Sequence, residues 1–333
     1  PDLQLKPEIT AHGGEITSAV PGGYDVYSGT SMAAPNMAGA VALLRQYLKT
    51  ANPTLTGVEL NARVNQVLMS TATIALNDEG NPYSPRKQGA GLAGIADAIN
   101  AESYITVKDK DGNVRDKAKV ELYDDKLKTG IYEFEFTINN ISGRAEEYDP
   151  IVYVMTETLA SDNKTVAEKA YMLSDSTIEY FVDGNRHTGH IAVGANITTT
   201  VKVKITLSQA AREYLDKSFE NGMYVEGFVS LKGVNTTKVT IGLPYLAFYG
   251  DWTAAPLFDY STYELAESQK DTNVPAEDKL VASAADTKVI GMYFDDKYIL
   301  QLGAYLYEMD DSDVKIYPEK EKAAVSMFDN KGQ

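Results

Sequence analysis

The 333-residue chain carries 47 acidic and 31 basic residues, a formal net charge of -16, and no cysteine. The negative charge argues against nucleic acid and anionic membranes as partners, and the lack of cysteine excludes disulfides and thiolate metal sites. The chain has no run of about 18 apolar residues, so it predicts no transmembrane segment in this portion. Its 22 tyrosines, against one tryptophan, indicate extensive β-structure after residue 102.

The first strongly patterned segment is residues 28–39, which read Ser-Gly-Thr-Ser-Met-Ala-Ala-Pro-Asn-Met-Ala-Gly. Apolar residues then recur at helical spacing, at Met37, Val41, Leu44 and Leu48. Small residues form a second stripe at Ala34, Ala38 and Ala42. The pattern predicts a helix over residues 31–49 that is buried on most sides. Pro35 places the start of the helix near Thr30 or Ser31, because proline is tolerated only in the first turn.

Ser31 has two interpretations. A serine at the start of an apolar helical pattern is by itself best explained as an N-cap, since capping serines are far commoner than nucleophiles. However, the unbroken stretch over residues 28–35 resembles the nucleophile segment of subtilisin-like serine proteases. The resemblance implies that Ser31 is the attacking serine and that Gly29 and Thr30 form the tight backbone turn that leads to it. The Ser31 N–H would then face a developing oxyanion at the helix N-terminus.

The resemblance extends to both sides of the serine. Residues 5–14 are similar to the family segment K-P-D-x-x-A-P-G, with His12 in place of the usual proline. Residues 56–59 have the capping-box form T-x-x-E and open a second predicted helix over 58–71. Residues 89–92 and the helical pattern after them resemble the closing glycine turn and final helix. Residues 1–102 therefore resemble the C-terminal portion of a subtilisin-like catalytic domain, which implies a partial α/β fold with a parallel sheet and buried helices.

Three glycines in the closing turn, Gly89, Gly91 and Gly94, also match the nucleotide-binding motif G-x-G-x-x-G. That motif indicates a dinucleotide site only where a strand precedes it. The residues before Gly89 are Ser-Pro-Arg-Lys-Gln, which do not form an apolar strand. The sequence therefore offers no support for nucleotide binding here.

The other members of the expected catalytic site are not encoded in the chain. Subtilisin-like enzymes require an aspartate in a D-[ST]-G context, a histidine in an H-G-T-H context and an asparagine as second oxyanion donor. Neither motif occurs, and the three histidines are His12, His187 and His190. Because the chain begins at Pro1 within the resemblance, we expect it to be a fragment. The missing N-terminal part of the catalytic domain would supply these groups, and the chain alone is predicted to be inactive.

A composition shift near residue 102 predicts a second domain over residues 103–252. Apolar residues alternate over 132–138 and 201–207, and further strands are predicted at 151–156, 180–182, 224–231 and 239–248. Residues 208–217 are predicted to form a short helix or turn. Together these segments predict a sandwich of two antiparallel sheets.

Two segments of this domain carry a second resemblance. Residues 221–229 and 243–252 are similar to the fibronectin-III-like domain that follows the catalytic domain of lactocepin-type cell-envelope proteinases. The resemblance implies a secreted or cell-envelope-attached protein whose signal and anchor lie outside this chain. Residues 253–333 are predicted to be a linker and the start of a second β-sandwich-like domain, with strands at 298–307 and 322–328.

No cofactor is predicted. The acidic pairs Asp124-Asp125, Asp295-Asp296 and Asp310-Asp311 leave a structural calcium open but unassigned, since none has the D-x-D-x-D-G spacing. His187 and His190 lie beside a predicted hairpin loop at residues 183–185, where solvated histidines are commoner than metal ligands.

Two function classes follow from these observations. The first is a serine endopeptidase that acts on polypeptide substrates, and the intact Gly29-Thr30-Ser31 sequence favours it. The alternative is a non-catalytic scaffold or binding module of a cell-surface protein or pseudo-protease.

Overall fold

The computed structural model describes residues 3–161, 166–235 and 237–254, together with the backbone of six short strands between residues 281 and 316. Pro1–Ala254 form one unit and Ala255–Gln333 a second. Among the described residues, no helix combines the length and the apolar character needed to cross a membrane. The described chain is mostly β-structure with few helices.

The first hundred residues contain six elements before the sandwich begins. They are β1 (Ile16–Val20), β2 (Gly23–Tyr27), α1 (Thr30–Ala51), α2 (Gly57–Ser70), α3 (Pro85–Gln88) and α4 (Ile95–Asn100). The helices predicted over 31–49 and 58–71 are thus present as α1 and α2. Thr56 is the N-cap residue of α2, but its side chain makes no capping hydrogen bond. The capping box expected from T-x-x-E is therefore not formed.

A small core joins the three longer helices. It consists of Leu44, Leu48, Leu60, Val64, Val67, Leu68, Ala98 and Tyr104. On α1 only Leu44 and Leu48 are buried, and the small-residue stripe of Ala34, Ala38 and Ala42 is not. The prediction that α1 is buried on most sides is therefore wrong within the described chain. A helix is covered on several faces only when several elements pack on it, and here α2 and α4 are the main neighbours of α1.

The parallel sheet implied for residues 1–102 is also absent from the described residues 3–102. They contain the antiparallel pair β1–β2 and isolated bridges, of which only Thr10 with Leu92 is parallel. Parallel sheets need several strands joined by long crossover connections. The segment around Thr10 is one short strand-like piece, and within residues 3–102 no second parallel strand lies beside it.

The second part is a β-sandwich. One sheet has the order β10 (Ile191–Val193), β6 (Glu146–Leu159), β12 (Met223–Gly233), β13 (Ile241–Tyr249) and β4 (Val120–Asp125), with β7 (Val166–Met172) also paired to β6. The other sheet has the order β3 (Ser103–Thr106), β5 (Ile131–Asn140), β11 (Thr198–Thr206), β8 (Thr177–Val182) and β9 (Asn185–His187). The strand predictions between residues 132 and 248 are confirmed, and the segment predicted at 208–217 is a helix, α5 (Gln209–Ser218).

The alternating pattern places one face of each strand in the core. On β5, Tyr132, Phe134, Phe136 and Ile138 are buried while the residues between them face outward. The expectation of two purely antiparallel sheets needs one correction, because β13 pairs with β4 in parallel. Period-2 alternation shows which face of a strand is buried but does not fix the direction of its neighbour.

Strands β12 and β13 are buried on both faces. Tyr245 and Ala247 point into the sandwich core, and the residues of opposite alternation, such as Phe228 and Leu246, are also buried. Helices α2 and α3 contact β13, and Met69 joins the sandwich core. The first hundred residues therefore cover the outer face of one sheet.

The second unit contains six short strands. β14 (Val281–Ser283) pairs with β15 (Asp286–Gly291), and a second sheet has the order β16 (Tyr293–Phe294), β17 (Lys297–Leu302), β18 (Tyr305–Met309) and β19 (Val314–Ile316). The single strand predicted over 298–307 is instead the antiparallel pair β17–β18. The strand predicted at 322–328 lies outside the described residues.

Candidate active site

The turn before α1 is held by backbone hydrogen bonds to a neighbouring segment. Gly29, the N-cap residue, has φ 153° and ψ 172°, a conformation that side-chain-bearing residues rarely adopt. Its N–H donates to the Gly13 carbonyl at 2.8 Å, and its own carbonyl accepts from the N–H groups of Met32 and Ala33 at 3.0 and 3.2 Å. Gly29 thus joins the first turn of α1 to the segment that contains Gly13.

A glycine is also needed on the other side of this contact. A Cβ added to Gly13 would lie 2.6 Å from the Gly29 carbonyl oxygen and 2.9 Å from the Ala33 Cβ. Both distances are shorter than van der Waals contact. The two backbones can therefore approach only because residue 13 has no side chain.

A serine hydroxyl closes the base of the β1–β2 hairpin. Ser28 Oγ accepts a hydrogen bond from the Glu15 N–H at 2.8 Å. Both strands of the hairpin are largely exposed, and Tyr24 is 80% exposed. The hairpin enters the Gly29 turn directly, so the Ser28 contact fixes the direction from which the chain reaches α1.

Ser31 is the second residue of α1, and its side chain is exposed. Within residues 3–254 as described, its hydroxyl and its N–H have no hydrogen-bond partner. N–H groups of a first helical turn point away from the helix and carry partial positive charge. Ser31 therefore presents an accessible oxygen beside an unpaired N–H donor. It is not an N-cap, because Gly29 occupies that position.

Helix α1 begins at Thr30, as Pro35 predicted, but Pro35 itself lies beyond the first turn. It is the sixth residue of α1 rather than a member of the first turn. A proline at this position cannot donate to the carbonyl four residues earlier, which belongs to Ser31. The Ser31 carbonyl therefore lacks the partner that an α-helix normally gives it.

The histidines do not complete a catalytic site around Ser31. His12 precedes Gly13 and is exposed. His187 and His190 lie together on the sandwich, where His187 Nε2 is 2.8 Å from the His190 carbonyl oxygen. Across the described residues, no group of three or more His, Asp or Glu is arranged to hold a metal ion. Asp125 instead accepts hydrogen bonds from the Thr129 and Gly130 N–H groups, which stabilise the turn after β4.

The glycines of the G-x-G-x-x-G sequence allow close backbone packing. Gly89 has φ 63°, and a Cβ there would lie 2.3 Å from the Glu8 carbonyl carbon. A Cβ on Gly91 would lie 2.4 Å from the Thr73 carbonyl oxygen. The space that a dinucleotide motif leaves for phosphate is occupied here by the chain itself.

One buried charge cluster could not be foreseen from any sequence pattern. Arg86 of α3 donates to both oxygens of Glu226 on β12, at 2.8 and 3.2 Å, and also to Glu157 on β6. Glu226 is 1% exposed, and burial raises the pKa of its carboxyl although Arg86 opposes the shift. Residues 140 positions apart meet here, so no local pattern could have revealed the pair.

Comparison with known proteins agrees with both resemblances. Residues 1–91 match the family model of the Subtilase family, and residues 124–246 match that of an Fn3-like domain. The "C5a peptidase" of Streptococcus pyogenes serotype M1 is 30% identical over 284 residues, which are 84% of this chain and 22% of the relative. The "PI-type proteinase" of Lactococcus lactis subsp. cremoris is 33% identical over 274 residues, which are 78% of this chain and 13% of the relative.

The chain thus spans about a fifth or less of the length of these relatives. Alignments over 84% and 78% of the 333 residues are too long to lie within the protease-like part or the residues after it alone, so each includes residues of both. The order of the two parts in this chain is therefore shared with them.

Proposed function

Because residues 1–91 belong to the Subtilase family, we propose that this chain supplies the nucleophile of a serine endopeptidase. The observation that carries the proposal is the exposed hydroxyl of Ser31, which has no hydrogen-bond partner among the described residues and lies at the start of α1, directly after the Gly29 turn. The catalytic aspartate and histidine come from residues outside the 333 present. Gly29 and Thr30 form the approach to the nucleophile.

The reaction divides into two proton-balanced steps. Ser31 Oγ attacks the carbonyl carbon of a peptide bond while the histidine takes the hydroxyl proton, and the same histidine then protonates the leaving amine. Water then attacks the acyl-enzyme and gives a proton to the histidine, which returns it to Ser31 Oγ as the new carboxyl group leaves. The Ser31 N–H stabilises the oxyanion of each tetrahedral intermediate, because it is unpaired and lies at the positive end of the α1 dipole.

A labelling experiment on the complete open reading frame tests the assignment. A fluorophosphonate probe reacts covalently with an activated serine, and we expect the label on the peptide that contains Ser31. Ser31→Ala should remove labelling and lower turnover by about four or more orders of magnitude. Ser18→Ala, which changes an exposed serine of β1, is the matched control and should label normally. Labelling of a folded Ser31→Ala protein would overturn the proposal.

The 333-residue chain alone gives a second test. It should neither label nor hydrolyse casein, because no histidine in it lies in a subtilisin-like motif. Hydrolysis by the chain that is lost on Ser31→Ala would show that His12 or another group acts as base. If the complete protein is also unreactive while folded, the non-catalytic scaffold alternative is supported instead.

The proposal extends to domain organisation and location. Residues 1–102 are the C-terminal portion of the catalytic domain, and residues 103–252 are the fibronectin-III-like sandwich. Residues 253–333 are a linker and the start of a second β-sandwich-like domain. The first boundary lies inside one unit, which makes the first two parts a packed pair. We place the protein outside the cell, secreted or attached to the envelope, acting on polypeptides. Protease treatment of intact cells should remove it from them if it is exposed at their surface.

A further inference from the structure

A nine-residue segment connects the sandwich to the Ser31 turn. Residues 5–13, here called the strap, begin beside β4 and end at the Gly13 carbonyl that accepts the Gly29 N–H. Leu5, at the first end, is fully buried. The strap is thus held at one end by the fibronectin-like sandwich and bonded at the other to the turn that carries the nucleophile.

Two buried, charged side chains of the sandwich hold the backbone of Leu5. Its N–H donates to Glu121 Oε1 at 2.9 Å, and its carbonyl accepts from Lys119 Nζ at 2.8 Å. Lys119 Nζ also lies 2.9 Å from the same oxygen of Glu121. Both side chains are nearly inaccessible, with 4% and 2% exposure. Together they satisfy the two backbone polar groups of one residue.

The attraction between the two charges does not by itself account for this pair. A buried ion pair contributes little net free energy, and an apolar pair of similar volume often packs as well. An apolar replacement would, however, leave the Leu5 N–H and C=O without partners. What the two charges supply beyond packing is therefore a fixed position for the strap. Arg115, which donates to Glu121 Oε2 at 2.7 Å, holds the carboxylate in that orientation.

The strap has further ties between its two ends. Glu8 accepts from Lys117 Nζ at 3.0 Å, and its backbone carbonyl accepts from the Ala90 N–H at 2.9 Å. The Thr10 N–H donates to the Gly91 carbonyl at 2.9 Å. Because the strap is tied at short intervals, little slack remains between Leu5 and Gly13. A change in the position of Leu5 is therefore transmitted toward the turn.

We propose that Lys119 and Glu121 are positioning residues for Ser31, acting through the strap and the Gly13–Gly29 hydrogen bond. The sandwich is then part of the machinery that orients the nucleophile and not only a spacer. The catalytic consequence rests on the proposed endopeptidase function. The structural link between Lys119 and the Gly29 turn does not depend on that function, because it can be measured on the 333-residue chain.

Hydrogen exchange tests the structural link. Lys119→Met keeps the length of the side chain but removes its donor and charge, and should make the Gly29 amide exchange at least fivefold faster in peptides covering residues 27–33. Arg144→Met is the matched control, because Arg144 Nε pairs at 3.0 Å with Glu146, a fully buried carboxylate elsewhere on the sandwich. It should leave Gly29 exchange within twofold of the wild type.

Kinetics of the complete protein test the consequence. Lys119→Met should lower kcat and the fluorophosphonate labelling rate about tenfold with KM unchanged, and Lys119→Arg should restore most of the loss. Arg144→Met should leave kcat unchanged at a temperature where both variants are folded. If Lys119→Met does not fold, Glu8→Gln provides the milder test, since it weakens the tie to Lys117 and should raise Gly29 exchange.

The two proposals fail in different ways. If Gly29 exchange and kcat are unchanged in folded Lys119→Met, the positioning role is wrong. Where Lys119→Met cannot be purified, unchanged exchange in Glu8→Gln would equally contradict that role. If the wild-type complete protein never labels while exchange rises in Lys119→Met, the strap link stands and the endopeptidase proposal is wrong.

Discussion

Arg86 Nε lies 2.8 Å from Glu226 Oε2, although the two residues are 140 positions apart. The Arg86 guanidinium also lies over the Tyr224 ring, 4.0 Å from its centroid. Planar guanidinium groups suit both contacts, because they bind carboxylates through two hydrogen bonds and stack on aromatic faces. Arg86, which lies in the part that matches the Subtilase family model, thus supplies the cation that the buried carboxylate of the sandwich requires.

Removing the Arg86 cation should lower the free energy of unfolding substantially. Arg86→Met leaves Glu226 buried without its partner, and we expect a loss of about 3–5 kcal/mol in the free energy of unfolding. The measurement is urea unfolding of the 333-residue chain. Arg186→Met breaks an exposed pair with Glu179, whose closest atoms are 2.9 Å apart, and should cost about 1 kcal/mol or less. Equal losses for the two variants would show that Glu226 is hydrated and not dependent on Arg86.

Adjacent leucines on α1 give a test of how firmly this helix packs on its neighbours. Leu44 is fully buried in the core shared with α2 and α4, whereas Leu43 is 55% exposed. Leu44→Ala should lower the free energy of unfolding by about 2–5 kcal/mol. Leu43→Ala should change it by about 0.5 kcal/mol or less. If both changes are small by chemical denaturation, α1 does not unfold cooperatively with the rest of the unit.

Substitutions at two glycines with positive φ distinguish the cost of backbone strain from the cost of steric overlap. Gly80 has φ 81° with no atom near its absent Cβ, whereas at Gly89 that atom would overlap the Glu8 backbone. Gly80→Ala should cost only the strain of the left-handed conformation, about 1–2 kcal/mol. Gly89→Ala should in addition displace the strap, for a total of about 4 kcal/mol or more. Thermal unfolding of the two variants side by side makes the comparison, and similar melting temperatures would contradict the close packing at Gly89.

The sequence predicted local structure better than it predicted contacts. Helices α1 and α2 and the core strands of the sandwich follow from hydrophobic periodicity, because a side chain at a given spacing must lie on a given face. The start of α1 near Thr30 or Ser31 followed from Pro35, because proline is tolerated only near the start of a helix.

The ties between the two parts could not be predicted from the sequence. Lys119 and Glu121 resemble ordinary surface charges in a strand, and Arg86 lies in a short polar segment next to a proline. Their partners are distant in the chain, and no periodicity marks a charge that will be buried. The predicted burial of the small-residue stripe on α1 was wrong for a related reason, because burial depends on which elements are present to cover a helix.

Glu8 gives a prediction for the dependence of stability on pH. Partial burial alone would raise the pKa of this carboxyl, but hydrogen bonds from Lys6 and Lys117 outweigh it and lower the pKa to about 2. A depressed pKa means that the folded state favours the ionised form, so this contribution is present above the ordinary value near 4.5 and is lost as pH falls toward 2. The Glu8 side chain is 23% exposed, and solvent screening limits the contribution to about 1 kcal/mol. Glu8→Gln should therefore lower the free energy of unfolding more at pH 7 than at pH 2.5, where only part of the contribution remains, measured by urea unfolding at both values. A difference between the wild type and Glu8→Gln that is the same at the two pH values would show that the Lys6 and Lys117 contacts do not stabilise the strap.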